Sequence, residues 1–440
     1  METAAPSTDV QPTSAPAAAT GERTCRFCGA GLATTFVDLG LSPLANSYVE
    51  PEDLGKPEVF HPLHVFVCDR CFLVQLPESE SPDAIFSDYS YFASYSDSWL
   101  AHARDYAAMA TRRFELGPES RVVEIASNDG YLLRWFVERG IPVLGIEPAG
   151  NVAQAAEALG IPTRVQFFGT QLARELAAEG IRADLVVGNN VLAHVPALND
   201  FVAGLALLLA PRGVLTMEFP HLLRLMDEGQ FDTIYHEHFS YFSFTTVRRV
   251  FASHGLALFD VEELPTHGGS LRIYARHAVD QSGAAGAPQL PGRPIEPRVA
   301  ELLAREERAG LLRLETYGDF AARVRVVKRD LLRFLLDANE AGKQVVGYGA
   351  PAKGNTLLNY CGVGPDLLAY TVDRSPHKQG RYLPGTRIPI FAPERIDETR
   401  PDYVLILPWN LKAEVTAQMA RVREWGGKFV VAVPRLEVLS

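Results

Sequence analysis

Two stretches of this chain carry side chains whose types and spacing can do chemistry. One is Phe231-Asp-Thr-Ile-Tyr-His-Glu-His-Phe-Ser-Tyr-Phe-Ser243, which brings together Tyr235, His236, Glu237, His238, Ser240 and Tyr241. Imidazole titrates near neutral pH and can take a proton from a carbon beside a carbonyl. A zinc-protease helix needs histidines four apart, whereas residues two apart do not share a helical face. In an extended segment His236 and His238 point one way and Glu237 the other. Acid–base work and a polar, aromatic-rich interface loop both remain open for it. The other stretch is a double cysteine pair, Cys25/Cys28 in C-R-F-C and Cys68/Cys71 in C-D-R-C.

Paired C-x-x-C motifs in a reducing compartment argue for a metal rather than a disulfide. Four thiolates on two tight turns make the closed tetrahedral site zinc prefers, so the ion is expected to be structural. The segment between the pairs exceeds a short ribbon spacing and must form its own small structure, with FVDLG and HVFVC as strands. Cys361 reads as a small buried hydrophobe. Upstream of the central region, FSDYSYFASYSDSWLAHA offers Tyr89, Tyr91 and Tyr95 with Ser94 and Ser96. Those tyrosines can pack, or they can cover a substrate and donate to a developing oxyanion. His194, in NVLAHVP, has a structural reading and a place near the reacting groups.

The elements that must position these groups follow from the hydrophobic pattern. RVVEIA, PVLGIEP, ADLVVGNN and GVLTMEFP read as strands alternating with the helices YLLRWFVERG, NVAQAAEALG and DFVAGLALLLA. That rhythm predicts a parallel sheet with its ligand above the carboxyl ends of the strands. The first turn is A-S-N-D-G, with one glycine, and lacks the G-x-G-x-x-G of a dinucleotide site. Glu147 ends the second strand, where a carboxylate can accept from both ribose hydroxyls. Asn189 and Asn190 end the fourth strand, and VQFFG ends the third, with Phe167 and Phe168 placed to pack on adenine. The set favours S-adenosylmethionine as the ligand. A second βα start, Gln344-Val-Val-Gly-Tyr-Gly-Ala-Pro-Ala-Lys-Gly-Asn-Thr356, suits a diphosphate through its backbone N–H groups and Lys353.

Length and composition bound the whole. At ~100–200 residues per domain, 440 residues imply two to four domains. Forty-seven percent hydrophobic and 22% charged residues describe an ordinary globular chain. A net charge of −11 without a basic run disfavours nucleic acid or an anionic membrane as partner. No stretch approaches the ~18 apolar residues of a membrane span, and the N-terminus lacks a secretory pattern, so a cytoplasmic protein is expected. The expected organisation is a disordered tail (1–21), a zinc-binding domain (22–82), an α/β cofactor domain (83–283), a Pro/Gly-rich linker (284–297) and a C-terminal α/β domain (298–440) that opens with two helices.

Taken in order, the double C-x-x-C, E-I-A-S-N-D-G, N-V-L-A-H-V, Y-H-E-H-F-S-Y-F-S and G-Y-G-A-P-A-K-G-N-T resemble the sugar C-methyltransferases of deoxysugar pathways, from about residue 22 onward. The resemblance implies a central class I methyltransferase domain, Rossmann-like, between a zinc-binding and a C-terminal Rossmann-like domain. It implies transfer of a methyl group to a ring carbon, usually C3, of a thymidine-diphosphate 4-keto-6-deoxy sugar. His238 would match the family's general base, with Glu237, Tyr235, Tyr89 and His194 around the reacting carbon; Tyr91 suits the Tyr89 place equally. Glu124, Asn128, Asp129, Gly130 and Glu147 would hold the donor, with Ala126 where many members have glycine. Tyr91, His236, Tyr348, Lys353 and Asn355 would contact the sugar nucleotide. A monomer or weak oligomer is expected. An O- or N-methyltransferase and a non-catalytic zinc-bearing scaffold are the competing readings.

Overall fold

The structure, a computed structural model, describes residues 23–82, 85, 92–278 and 293–439. The N-terminal tail, Tyr89, Tyr91 and most of the linker lie outside the described residues. In the front module, β1 (Thr34–Ser42), β2 (His61–Val67) and β3 (Val74–Gln75) pair antiparallel between and beside the two cysteine turns. Val65 and Val67 of β2 are buried against a core shared with the long C-terminal helix Phe320–Glu340.

In the central module the strands are β4 (Val122–Ile125), β5 (Val143–Ile146), β6 (Thr163–Arg164), β7 (Ala183–Asn189), β8 (Leu209–Pro220), β9 (Ser240–Tyr241), β10 (Leu256–Leu264) and β11 (Ser270–His277). All but β9 form one sheet in the order β10-β11-β8-β7-β4-β5-β6. Strands β4 to β8 run parallel, and β11 is antiparallel to both of its neighbours. Every residue of β4 is buried, as a strand covered by helices on both faces requires. The order reverses between β4 and β7, which opens a crevice at their carboxyl ends.

The back module repeats the device. Strands β12 (Val345–Tyr348), β13 (Thr371–Val372), β14 (Ile390–Phe391), β15 (Tyr403–Ile406), β16 (Lys428–Val431) and β17 (Glu437–Leu439) stand in the order β14-β13-β12-β15-β16-β17. Its reversal lies between β12 and β15. Of the expected pair of helices, Phe320–Glu340 covers this sheet, while Pro297–Arg308 packs on the central one. Its apolar face, Val299 and Leu302, joins the central core. Its buried Glu306 accepts from His221 Nε2 and from the backbone N–H groups of Phe244 and Thr245, each at 2.7 Å. The central unit thus recruits a helix from beyond the linker, because that carboxylate satisfies the exposed start of the helix Phe244–Ala252. Among the described residues no helix is long and apolar enough to cross a membrane.

Candidate active site

At the front, the sulfurs of Cys25, Cys28, Cys68 and Cys71 lie within 4.8 Å of one another. Sγ–Sγ distances are 3.5 Å for Cys25–Cys71 and for Cys28–Cys68. A tetrahedron with ~2.3 Å metal–sulfur bonds has edges of ~3.8 Å, so the cluster fits zinc. Both turns close alike: Gly29 N–H donates to Cys25 and Phe72 N–H to Cys68, with left-handed φ at Gly29 (72°) and Phe72 (62°). Partly buried, the phenylalanine packs on Tyr317, their rings stacked with centroids 6.3 Å apart. The bond with Cys71 lowers the Cys25 thiol from its ordinary value, and Gln75 Nε2 also donates to it at 3.1 Å. Strand β3, which carries Gln75, pairs antiparallel with β9, the strand that begins two residues after His238.

The central crevice begins with the turn after β4. Ala126, Asn128 and Gly130 all take positive φ (56°, 50° and 78°), and a Cβ on Gly130 would collide with Ile161. Glu147, just past β5, accepts from the backbone N–H groups of Asn128 and Ala149, both at 2.9 Å. Glu124 is buried, and that burial holds its carboxyl well above the usual range, against a bond from Tyr131. The side chains of Asn128 and Asp129 accept from Ala93 N–H (2.9 Å) and Ser94 N–H (3.0 Å), so the serine/tyrosine segment is tied over the turn. At the end of β7, Asn189 donates to Tyr131 Oη (3.4 Å) and Asn190 meets His267 Nε2 (2.9 Å). A left-handed turn that brings backbone close to a ligand, beside a strand-end carboxylate, fits S-adenosylmethionine.

Beside that crevice lies a cluster of imidazoles. His238 Nδ1 faces the Thr233 carbonyl at 2.8 Å, so Nδ1 carries the hydrogen and Nε2 is left as the acceptor. Its ring lies 4.1 Å from Tyr235 and 4.7 Å from His194, measured between centroids. Burial, then the charge on His194, pushes His238 well below its ordinary value; burial brings His194 down to about 4. Glu237 is buried and accepts from Asn46 Nδ2 at 2.5 Å, across from the front module. Behind the ring, Asp232 accepts from the Trp409 indole N–H at 2.6 Å, and Lys353 Nζ donates to Asn410 at 2.9 Å while lying 4.7 Å over that indole. Residues just beyond β15 thus reach the segment that carries His238.

Three family models match the chain in succession: a zinc binding domain over residues 25–86, a methyltransferase domain over 99–261 and a C-methyltransferase C-terminal domain over 265–434. The C-methyltransferase NovU of Streptomyces niveus is 38% identical over 419 residues, 94% of this chain and 96% of NovU. The chain belongs to this C-methyltransferase family. A ubiquinone biosynthesis O-methyltransferase of Methylobacterium sp. (strain 4-46) is 33% identical over 123 residues, 26% of this chain and 48% of that protein. Among solved structures, an N1-methyltransferase of Burkholderia thailandensis covers 47% of this chain and 95% of its own at 17% identity and a TM-score of 0.34, too loose an overlap to inform the chemistry.

For a C-methyltransferase that uses S-adenosylmethionine, several expected placements change. His236 and His238 do not face one way: Tyr235–His238 closes a turn, His238 N–H to Tyr235 carbonyl at 2.9 Å, so the extended alternation fails. His236 instead lies beside His61 of β2, ring centroids 5.7 Å apart, and burial lowers it to about 4. The third strand stops at Arg164, so VQFFG is a loop; Phe167 is exposed and Phe168 packs on Phe201. The second glycine turn spends its first two donors within the chain, ahead of the helix Ala352–Cys361. Gly349 N–H goes to Val372 (2.6 Å), Ala350 N–H goes to Asp373 Oδ2 (2.7 Å), and Pro351 has none. Lys353 points to Asn410 instead, Asn355 Nδ2 is spent on the Ala45 carbonyl (2.6 Å), and Tyr348 donates to Gln418 (3.2 Å).

Sequence reasoning passed over Asn46, Thr233, Asp232, Glu218, His267 and Trp409. Thr233 and Asp232 stand in the same stretch as His238, so proximity in the chain was a usable signal. Glu218, near the end of β8, takes bonds from His102 (2.8 Å), Arg272 (2.7 Å) and Thr266 (2.7 Å); against its burial these bring it down to about 2. A lone glutamate near the end of a strand, in TMEFP, was the visible sign. His267 and Trp409 come from distant segments and carried no local sign.

Proposed function

We propose that this C-methyltransferase methylates C3 of a thymidine-diphosphate 4-keto-6-deoxy sugar through an enolate formed by His238. The observation that carries the reading is the state of that imidazole. Its Nδ1–H is held by Thr233, and burial keeps it uncharged at neutral pH, so Nε2 is a base ready in the correct tautomer. A hydrogen beside a ketone is acidic because its electron pair spreads onto oxygen, and only carbon methylation needs that step.

Residue roles follow from position. His238 Nε2 takes the proton; Tyr235 and His194 flank the ring and orient the sugar; Glu237, anchored by Asn46, fixes the turn. Glu124, Asn128, Gly130 and Glu147 would hold S-adenosylmethionine, with Asn189 and Asn190 at its methionine end. When bound, that cofactor supplies an electrophilic methyl group. A groove of about 550 Å³ between the central and back modules, lined by Arg224, Glu228, Glu263, Trp409, Asn410 and Lys412, is the place for the nucleotide, its two cations paired with Glu228 and Glu437.

The test combines labelled donor with a panel of thymidine-diphosphate keto sugars, locating the new methyl by NMR and following deuterium uptake from D2O. Uptake at the methylated carbon is expected. His238→Asn should keep donor affinity and lose on the order of 10²–10⁴-fold in turnover. A methyl group found on oxygen or nitrogen, without exchange, would refute the proposal.

A further inference from the structure

Lys353 stands at the carboxyl end of β12, and Trp409 and Asn410 stand just beyond β15, so all three occupy the reversal point of the back sheet. Crevices of that kind bind ligands. What fills this one is the chain itself. Asp373 takes the Ala350 N–H at 2.7 Å and that of Ser375 at 2.8 Å, while Tyr48 Oη (2.6 Å) and Lys378 Nζ (2.9 Å) donate to the Ala350 carbonyl. A carboxylate under the turn repels phosphate, and the N–H groups of Gly349 and Ala350 are spent.

The lysine is directed the other way. One of its three N–H donors goes to Asn410 (2.9 Å), and the ammonium rests over the Trp409 ring. That indole donates to Asp232 (2.6 Å), whose neighbour Thr233 holds His238 Nδ1–H at 2.8 Å. The Gly268 turn meets the far edge of the indole, and the preceding residue, His267, contacts Asn190 of the donor crevice at 2.9 Å. Through the Trp409 indole the lysine is linked on one side to the Asp232–Thr233 pair that holds His238 and on the other to the His267–Gly268 turn. It is thus a cation delivered from the back module to the recess where the base sits, with N–H donors to spare.

We propose that Lys353 is a catalytic residue, its ammonium donating to the ketone oxygen as that oxygen becomes the enolate. This rests on the enolate reading above. His238 Nε2 takes the proton, and the C–H electron pair becomes the ring C=C while the carbonyl pair moves to oxygen, where Lys353 meets the charge. When carbon takes the methyl group, the pair returns to the C=O and the sulfur leaves with its own pair as a thioether; His238 then loses its proton to solvent.

The experiment follows deuterium uptake by a thymidine-diphosphate 4-keto-6-deoxy sugar in D2O, with S-adenosylhomocysteine in place of the donor, alongside thymidine-diphosphate binding. Lys353→Met should slow uptake at saturating sugar by on the order of 10²–10³-fold, as for loss of one oxyanion donor, and leave thymidine-diphosphate affinity within about twofold. Because Met removes a positive charge near Asp232, the double variant K353M/D232N is measured too and should show the same loss; Lys353→Arg should recover part of it. Weaker thymidine-diphosphate binding with uptake at saturation unchanged would overturn the proposal and make Lys353 a diphosphate anchor. Uptake absent from the unaltered protein, despite methyl transfer, would instead sink the enolate reading itself.

Discussion

The central and back modules carry the same device with opposite outcomes. Each has a parallel sheet whose order reverses, a tight turn after the strand at the reversal, and a carboxylate after the next strand. In both, that carboxylate accepts from the first turn's backbone: Glu147 from Asn128, Asp373 from Ala350. The surroundings differ. Among the described residues, Ala93 and Ser94 close over the central turn, held by Asn128 and Asp129. Over the back turn, Tyr48 and Lys378 close on Ala350, and Asn355 binds the front module through Ala45. The first donors of both turns are spent alike, Ser127 N–H on Ile146 and Asn128 N–H on Glu147 as Gly349 N–H on Val372 and Ala350 N–H on Asp373, so what separates the two crevices is what packs over them. Here one crevice is kept for a cofactor, and the other has become the joint that presents Lys353.

The sharpest way to break this contrast is to take away the metal. Gln75 joins Cys25 to β3, β3 pairs with β9, and Phe239 N–H reaches Ala193 at 2.7 Å beside His194. The knuckle thus supports the central recess more directly than the back turn, and binding a structural metal is folding free energy. Chelation, or Cys25→Ser, should cut methyl transfer by about 10-fold or more and lower the melting temperature in step with zinc content, while thymidine-diphosphate binding falls less. Metal-free protein with full turnover would mean that the front module does not position His238.

Next in size is the carboxylate pair. Glu147→Gln removes a charged acceptor offered to the donor and should weaken S-adenosylmethionine binding by about 10-fold or more, since hydrogen bonds to charged groups contribute ~1.5–3 kcal/mol. Asp373→Asn should leave donor affinity unchanged and cost about 1–2 kcal/mol of stability, read from denaturant unfolding. Equal effects on donor binding would erase the distinction between the crevices.

Much of this was legible in the chain. The alternation from RVVEIA to GVLTMEFP identifies the parallel sheet because buried strands and amphipathic helices have distinct periods, and the cysteine spacing identifies the metal site because its chemistry is local. The Y-H-E-H stretch stands out for the same reason, though the direction of each imidazole depends on a turn that residue types do not specify. What stayed hidden is what arrives from elsewhere: Asn46 on Glu237, Trp409 on Asp232, and Asp373 filling the second turn. Phosphate and a carboxylate of the chain itself ask the same thing of a glycine turn, so its sequence cannot separate them.

A smaller effect lies in pH. His194, His236 and His267 are each brought down to about 4 by burial, and His238 lies well below 6.5. Unfolded imidazole takes its proton near 6.5, before the folded one does, so these groups leave stability intact above that value. Stability should then decline as pH falls from 6.5 toward about 4. Lys353 contributes to the lowering at His238 and His267, so the back module feeds this behaviour in the central one. Unfolding free energies that stay level from pH 7 to 4 would show that the imidazoles are hydrated.

The smallest expected change separates the two turns by backbone alone. Ala126 holds φ at 56°, where a Cβ costs ~1–2 kcal/mol, whereas the back turn already has Gly349 at 89°. Glycine at 126 relieves that strain but gains freedom in the unfolded chain worth ~0.5–1 kcal/mol. Ala126→Gly should therefore stabilise the protein by about 0.5–1 kcal/mol, a rise of a degree or two in melting temperature. Donor affinity should change little, because Asn128 and Glu147 keep the turn in place. A fall in stability would mean that contacts of the Ala126 methyl outweigh its backbone strain, and the central turn would then be held by packing, as the back turn is by its partners.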